Sequence, residues 1–446
     1  MAKLRLSQCM IVKNEEKNIR RALSWGRDIM WEQIVVDTGS TDRTAQIAQE
    51  MGAKLFRFDW IDDFAAAKNH AIRQAEGDWI VFLDADEYLS PEDTEKLLPL
   101  LEGLSGKREN AVTAAWVQTD GREAFLAEAA GSGLENRVTV RADGSRRSAL
   151  AGTVVRIFRN QPGLLYRGRI HEQLFMEGGE VSCYDASASL SVLHTGYTPE
   201  EMEKKKKTGR NICLLQKEVE QDPSNYKMLA HLGGSYFQQR QYEEAARWYE
   251  EAVRHMPEKP EEESIQDAAV FKNLLFLYSE SDQEELLQRA YAGGTGRFPK
   301  EADYDYMAGQ YYFGKRRFQE GAFYLSRAVG LLDRYGSDRR STLLASGLSE
   351  AWEMLAECLY ETGDRKACVN CAVTLLKADP HRRVTLEILL KAFRDDEKTN
   401  GEKAASAPQV LAFLGNLYDL ECPEQRQFVR QTAESAEYGG LVRELE

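Results

Sequence analysis

Trp79-Ile80-Val81-Phe82-Leu83-Asp84-Ala85-Asp86 is the stretch on which the fold turns. An unbroken apolar run gives way to two carboxylates separated by one residue, the pattern of a strand buried on both faces that ends at a polar edge. Working outward from it, Phe64–Ala75 is an alanine-rich helical segment and Lys54–Phe58 a strand. Before these come a helix over Thr41–Met51, entered through the turn Thr38-Gly39-Ser40-Thr41-Asp42, and a strand at Ile34-Val35-Val36. Glu15–Ser24 has Ile19 and Leu23 on one helical face, and Leu6–Val12 is the first strand. Short β runs alternating with helices predict an α/β domain around a mostly parallel sheet. Downstream, strands are expected at Ala111–Gln118 and Thr153–Phe158. The Gly-, Ala- and Arg-rich stretch between them, Gly121–Gly152, reads as a mobile loop or insertion.

After about residue 200 the strand signals stop. Leu229, Leu232, Gly233, Tyr236, Ala245, Tyr249, Ala252 and Pro257 sit at the signature offsets of the roughly 34-residue tetratricopeptide repeat. A weaker copy has Ala308, Gly309, Tyr312, Gly321, Leu325 and Ala328. A third runs from Trp352, Leu355 and Ala356 to Pro380, and Asp267–Ala290 reads as a further helix pair. Small residues at such offsets let helices approach closely while aromatics fill the gaps between repeats, so these side chains are packing and not a cofactor pocket. The expected organisation is an α/β domain over 1–200 and a helical repeat domain over 201–446, the latter offering a docking groove or a homodimer surface.

With 446 residues, 43% hydrophobic and 29% charged, the chain has the composition of a soluble globular protein of two domains. Its 58 basic and 72 acidic residues leave a net charge of −14, which argues against nonspecific binding to nucleic acid or anionic lipid. No apolar run approaches the roughly 20 residues of a transmembrane helix. Leu6–Val12 is broken by Ser7 and Gln8 and runs into Lys13-Asn14-Glu15-Glu16, unlike a signal peptide. A cytoplasmic location with free thiols is therefore expected for the seven cysteines. Cys368 and Cys371 are expected to be small buried residues and not a zinc or redox pair.

In an open α/β sheet the ligand sits at the carboxyl edge of the strands. That edge gathers Lys13, Asn14 and Glu15 after the first strand, Asp37 through Asp42 after the second, and Asp84-Ala85-Asp86 after the fourth. The carboxylates here have no evident basic partners, and such crowding points to a cation. An Asp-x-Asp element can hold a hard divalent ion while leaving most of its coordination to water and phosphate oxygens, although a solvated turn gives the same tripeptide.

Ile11-Val12-Lys13-Asn14-Glu15-Glu16, Val35-Val36-Asp37-Thr38-Gly39-Ser40-Thr41-Asp42 and Val81-Phe82-Leu83-Asp84-Ala85-Asp86 resemble, in order and spacing, the motifs of family 2 glycosyltransferases with the GT-A fold. The resemblance covers about the first 200 residues. It implies a nucleotide-diphosphate sugar donor, with a UDP-sugar favoured, and a Mg²⁺ or Mn²⁺ cofactor. It also implies that the backbone of Ile11–Lys13 lines the base, that Asp37 hydrogen-bonds it, that Asp84 approaches the ribose and that Asp86 ligates the metal. Asn14, Glu15, Ser40, Asp42 and Ala85 lie in the same donor-binding motifs.

Asp63-Phe64-Ala65-Ala66-Ala67-Lys68-Asn69 is similar to an element of a subset of these enzymes in which the basic residue, here Lys68, approaches the diphosphate and Asn69 orients its neighbours. A helix start capped by Asp62 or Asp63 reads the same. Arg169-Ile170-His171-Glu172-Gln173 resembles the subset's His-Glu pair at the acceptor side. On that basis Glu172, with His171 beside it, is the candidate general base for inversion; the bland alternative is a carboxylate paired to Arg167 or Arg169. His194, in Leu193-His194-Thr195-Gly196-Tyr197, is the candidate second metal ligand, or else a core histidine. A transferase followed by tetratricopeptide repeats resembles the bacterial sublancin-type glycosyltransferases, which attach a hexose to a cysteine of a peptide. The expected function is thus transfer to a peptide or protein side chain. The alternatives are transfer to a cell-envelope glycan or lipid-linked acceptor, and a repeat scaffold carrying an inactive transferase domain.

Overall fold

Leu6–Val12 (β1) lies inside a sheet because almost none of its surface is spared for water: Leu6, Cys9 and Met10 are fully buried and Val12 nearly so. The computed structural model describes residues 4–118, 124–125, 137–140, 146–149, 151–195, 209–260, 264–336 and 341–446. Glu32–Asp37 (β2) and Lys54–Arg57 (β3) extend the sheet on one side of β1 in parallel, and Trp79–Phe82 (β4) pairs with β1 in parallel on the other. The edge-to-edge order continues through Ala151–Arg159 (β10), Ala111–Gln118 (β6), Ser191–His194 (β14) and Glu87–Tyr88 (β5). The pairings of β10 with β4 and with β6 are antiparallel, so the sheet is mixed. Chain leaving β1 runs to β2 on one side and later returns to β4 on the other, so a crevice opens between the carboxyl ends of β1 and β4.

β4 shows why the sheet is buried on both faces. Trp79 and Val81 pack with Leu6, Leu97, Leu101 and Val112 on one side, while Ile80 and Phe82 pack with Cys9, Ile34, Val36 and Ala71 on the other, the alternation of a strand between two apolar layers. Each of the Val, Leu, Ile and Phe side chains among them contributes about 1.5–3 kcal/mol by leaving water.

The helices between strands are shorter than their sequence periods suggest. α1 spans Ile19–Ser24 and α2 spans Thr44–Glu50, because the residues expected to open them, Glu15–Glu16 and Thr41–Asp42, are spent on hydrogen bonds between the two loops. Phe64–Ile72 (α3) is capped by Asp63, whose Oδ1 accepts from the Ala66 amide at 2.8 Å. Pro91–Gly103 (α4) starts at Ser90 with Pro91 in its first turn.

The stretch 121–152 is not simply a loop. Its described parts, Ala124–Phe125 (β7), Arg137–Val140 (β8) and Arg146–Ala149 (β9), form a small antiparallel sheet; most of the remainder lies outside the described residues. Leu164–Arg167 (β11) and Gln173–Met176 (β12) make a hairpin that the sequence did not signal, and Cys183–Asp185 (β13) pairs with β6.

Two compact units result, Met1–Gln241 and Tyr242–Glu446. The helices Arg210–Gln221 (α5) and Tyr226–Gln238 (α6) belong to the first. In the second unit every described element is helical, from Tyr242–His255 (α7) to Gly439–Glu444. There, Gly309 on the helix Ala302–Gly314 lies so close to Phe318–Tyr335 that a Cβ would meet Leu325 Cγ at 2.7 Å, and Tyr312 stacks on Tyr324 with ring centroids 5.4 Å apart. Cys368 and Cys371 are buried free thiols, pushed up to about 11 and 12 by burial. No helix among the described residues is long and apolar enough to cross a membrane.

Candidate active site

The loops leaving β1 and β2 are clasped to each other. Asn14 adopts a left-handed backbone (φ 58°), a conformation asparagine tolerates. Its amide donates to Ser40 Oγ at 3.0 Å, while its Oδ1 accepts from the Thr41 amide at 2.8 Å. The Glu15 amide donates to Thr44 Oγ1 at 2.7 Å and the Glu16 amide to Asp42 Oδ2 at 3.2 Å. Asn14, Ser40 and Asp42 therefore build the wall of the crevice. Beneath them Asp37, paired in register with Val12, is buried and accepts from the Ser40 amide at 2.9 Å. Lys13 is exposed and Ile11 partly so.

At the end of β4 the expectation of carboxylates without basic partners fails. Asp84 Oδ2 accepts from Arg156 Nη2 at 2.9 Å, and its Oδ1 lies 3.9 Å from Lys68 Nζ. The same guanidinium holds the buried Glu87 at 2.8 Å, and Trp116 Nε1 donates to Glu87 at 3.1 Å. These cations come from β10 and α3, distant in sequence. Ala85 is buried with Met10, Val12 and Ile19, so its methyl faces the core.

Lys68 is the hub. Its ammonium is almost wholly buried and lies 2.6 Å from Glu172 Oε1. Burial alone would pull its pKa down; the charges of Asp84 and Glu172 outweigh that and hold it above the ordinary value. Phe82 and Tyr166 rings lie 5.1 and 5.0 Å from the ammonium. Glu172 thus pairs with Lys68, and neither Arg167 nor Arg169 takes the role sequence spacing offered them. Arg167 lies over the Phe175 ring, and the Arg169 amide donates to Glu218 Oε1 at 2.9 Å. Asn69 is structural: its side chain donates to the Tyr166 carbonyl at 2.9 Å and accepts from the Tyr166 amide at 2.8 Å, tying α3 to β11. His171 stacks on His231 of α6, with centroids 3.8 Å apart and planes 11° from parallel.

On the other side of the crevice His194 Nε2 lies 3.2 Å from Asp86 Oδ2, with the His194 ring packed against Trp116 at 4.8 Å. A carboxylate and an imidazole facing each other in a largely buried corner form a donor pair that suits Mn²⁺ better than Mg²⁺, with water and phosphate oxygens able to fill the rest of the shell. No group of three or more such side chains converges among the described residues. Gly196 and Tyr197 of the His194 motif lie outside them.

Residues 7–125 match the family profile Glycosyl transferase family 2, and residues 227–259 match Tetratricopeptide repeat. Over those stretches the chain is similar to family 2 glycosyl transferases and to the tetratricopeptide repeat. Its architecture is the one expected, a GT-A-like α/β domain followed by repeat-like helices. Among curated proteins, a TPR repeat-containing protein of Synechococcus elongatus is 30% identical over 265 residues, 58% of this chain and 59% of that one. The SPbeta prophage-derived glycosyltransferase SunS of Bacillus subtilis is 27% identical over 270 residues, 60% of this chain and 58% of that one. The chain thus spans about three fifths of the length of these relatives. The crystal structure of S. aureus TarS 1-349 superposes with a TM-score of 0.33 at 14% identity, covering 66% of this chain and 91% of that one.

Within the first unit, sequence reading missed Arg156, Glu87, Trp116 and Tyr166. Arg156 had a signal: a lone charge within Thr153–Phe158 must find a partner when the strand is buried. Glu87, following Asp84-Ala85-Asp86, had the same one. Nothing local marked Tyr166 or His231, which reach the site only through tertiary contacts.

Proposed function

We propose that this chain is a divalent-metal-dependent, inverting glycosyltransferase that takes a sugar from a nucleotide-diphosphate donor, a UDP-sugar being favoured, and transfers it to a peptide or protein side chain. The observation that carries the reading is the meeting of Asp84, Lys68 and Glu172 at the end of β4, from three separate segments, beside the Asp86–His194 pair, in a stretch that matches the family 2 profile.

In this reading the backbone of Ile11–Lys13 and Asp37 hold the base, and Asp84, steadied by Arg156, faces the ribose. Asp86 and His194 are the metal's protein ligands. When bound, a Mg²⁺ or Mn²⁺ ion supplies Lewis-acid neutralisation of the charge that develops on the leaving diphosphate. Glu172 takes the proton from the acceptor nucleophile as the bond to the anomeric carbon forms and the bond to the diphosphate oxygen breaks on the opposite face. Lys68, 2.6 Å from its Oε1, holds Glu172 in place before the acceptor arrives. The peptide acceptor is drawn from the resemblance to the sublancin-type enzymes.

Titration calorimetry with UDP-glucose and UDP-N-acetylglucosamine, with and without Mn²⁺, tests the donor half. Binding should require Mn²⁺ and be lost in Asp86→Ala; absence of binding by any nucleotide sugar, with Asp86→Ala like wild type, sinks the proposal and favours a scaffold. Glu172→Gln should lower transfer more than about a hundredfold and leave donor affinity intact. Transfer to a lipid-linked or envelope glycan and not to peptide would overturn the acceptor class alone.

A further inference from the structure

The segment that presents Glu172 is a tight turn with two residues in left-handed backbone, Gly168 (φ 99°) and His171 (φ 53°). For glycine this is free. For histidine it costs about 1–2 kcal/mol and persists only where the surroundings enforce it. Two helices supply that enforcement. From α5, Glu218 accepts from the Arg169 amide at 2.9 Å, and Lys217 lies 2.5 Å from Asp62, itself in left-handed backbone before α3. From α6, the His231 ring lies flat on His171 at 3.8 Å. The Phe64 amide donates to the Arg169 carbonyl at 2.9 Å, closing the turn against α3, the helix that carries Lys68.

The face of α6 that carries Leu229, Leu232 and Gly233 is buried, as its repeat signature requires. His231 lies off that pattern, so its contact with the turn is additional to repeat packing. Partial burial pushes both imidazoles below their ordinary range, His231 to about 4, with His171 and Lys227 opposing its charge further. Two neutral rings can stack without repulsion.

We propose that His231 is a positioning residue for the transferase: by stacking on His171 it holds the left-handed turn that aims Glu172 at Lys68 and the end of β4. The proposal rests on the role assigned to Glu172 above. It makes α5 and α6, which the sequence assigns to the repeats, part of the apparatus that sets the acceptor side of the site.

The test uses the full chain with His231→Ala and with His231→Phe, which restores a flat ring without the imidazole nitrogens. One readout needs no substrate: hydrogen exchange of the peptide spanning Gly168–Gln173 should accelerate in His231→Ala and return towards wild type in His231→Phe. The second is UDP release from UDP-glucose and UDP-N-acetylglucosamine with Mn²⁺. There kcat should fall roughly ten- to a hundredfold in His231→Ala, the scale of a misplaced catalytic group, with KM for the nucleotide sugar unchanged within about twofold and most of kcat recovered in His231→Phe. Unchanged exchange in His231→Ala, equal damage in both variants, or a rise in KM at constant kcat overturns the positioning role. Failure of the wild type to turn over any nucleotide sugar would instead strike the proposed function, while the exchange result decides the stack independently.

Discussion

Single residues carry two kinds of work at this site. Asn69 lies in a motif that suggests donor contact, but its amide is consumed by both backbone groups of Tyr166. Asn69→Ala would leave that carbonyl and amide without partners, so it should cost about 2 kcal/mol of stability, read as a lower urea midpoint. A merely ligand-facing asparagine would lose donor affinity and leave the midpoint in place. His231 gives a pH prediction. Its pKa falls from 6.5 to about 4 in the fold, so between those values the unfolded chain binds the proton and the folded chain does not. Stability is full above about pH 6.5 and declines as pH falls towards 4. Urea unfolding at pH 7, 6 and 5 should show this decline, and His231→Phe should flatten it.

At the scale of elements, β1 and β4 set the crevice, and their pairing depends on a close approach at Gly77. A Cβ there would meet the Ser7 amide nitrogen at 2.8 Å and the Arg5 carbonyl at 2.9 Å. These are backbone atoms that cannot swing aside. Gly77→Ala should therefore destabilise the first unit by about 3 kcal/mol, with a drop in melting temperature and in nucleotide-sugar binding together. Strand β4 was legible from its apolar run, and the helices from their periodicity. The start of α3 at Phe64 was legible too, but those of α1 and α2 were not, because Thr41, Asp42, Glu15 and Glu16 join two loops far apart in sequence, and local propensity yields to those bonds. The β11–β12 hairpin escaped notice because Leu164–Met176 mixes charges, glycines and apolar residues without a clean alternation.

For the molecule as a whole, the composition changes near residue 200 while the first compact unit continues to Gln241. Contacts Asp62–Lys217, Arg169–Glu218 and His171–His231 all cross the first of these positions and fall within the second. A fragment 1–241 should accordingly resist proteolysis and melt cooperatively, and a fragment 1–200 should be cleaved early around 168–173. Equal resistance of the two would show that α5 and α6 add nothing to the first unit. The sequence by itself determined the fold class, the order of the strands that end in Asp37 and Asp84–Asp86, and the close packing of the repeats at Gly309 and Tyr312. All of these follow from local hydrophobic period and from residue size at fixed offsets. Only the tertiary structure decided which charges meet. Lys68 and Arg156 neutralise Asp84, Glu87 and Glu172 across gaps of many residues, and a helix from the repeat-bearing part of the chain braces the turn before Glu172. Long-range pairing depends on how layers stack in three dimensions, and periodicity along the chain carries no record of it.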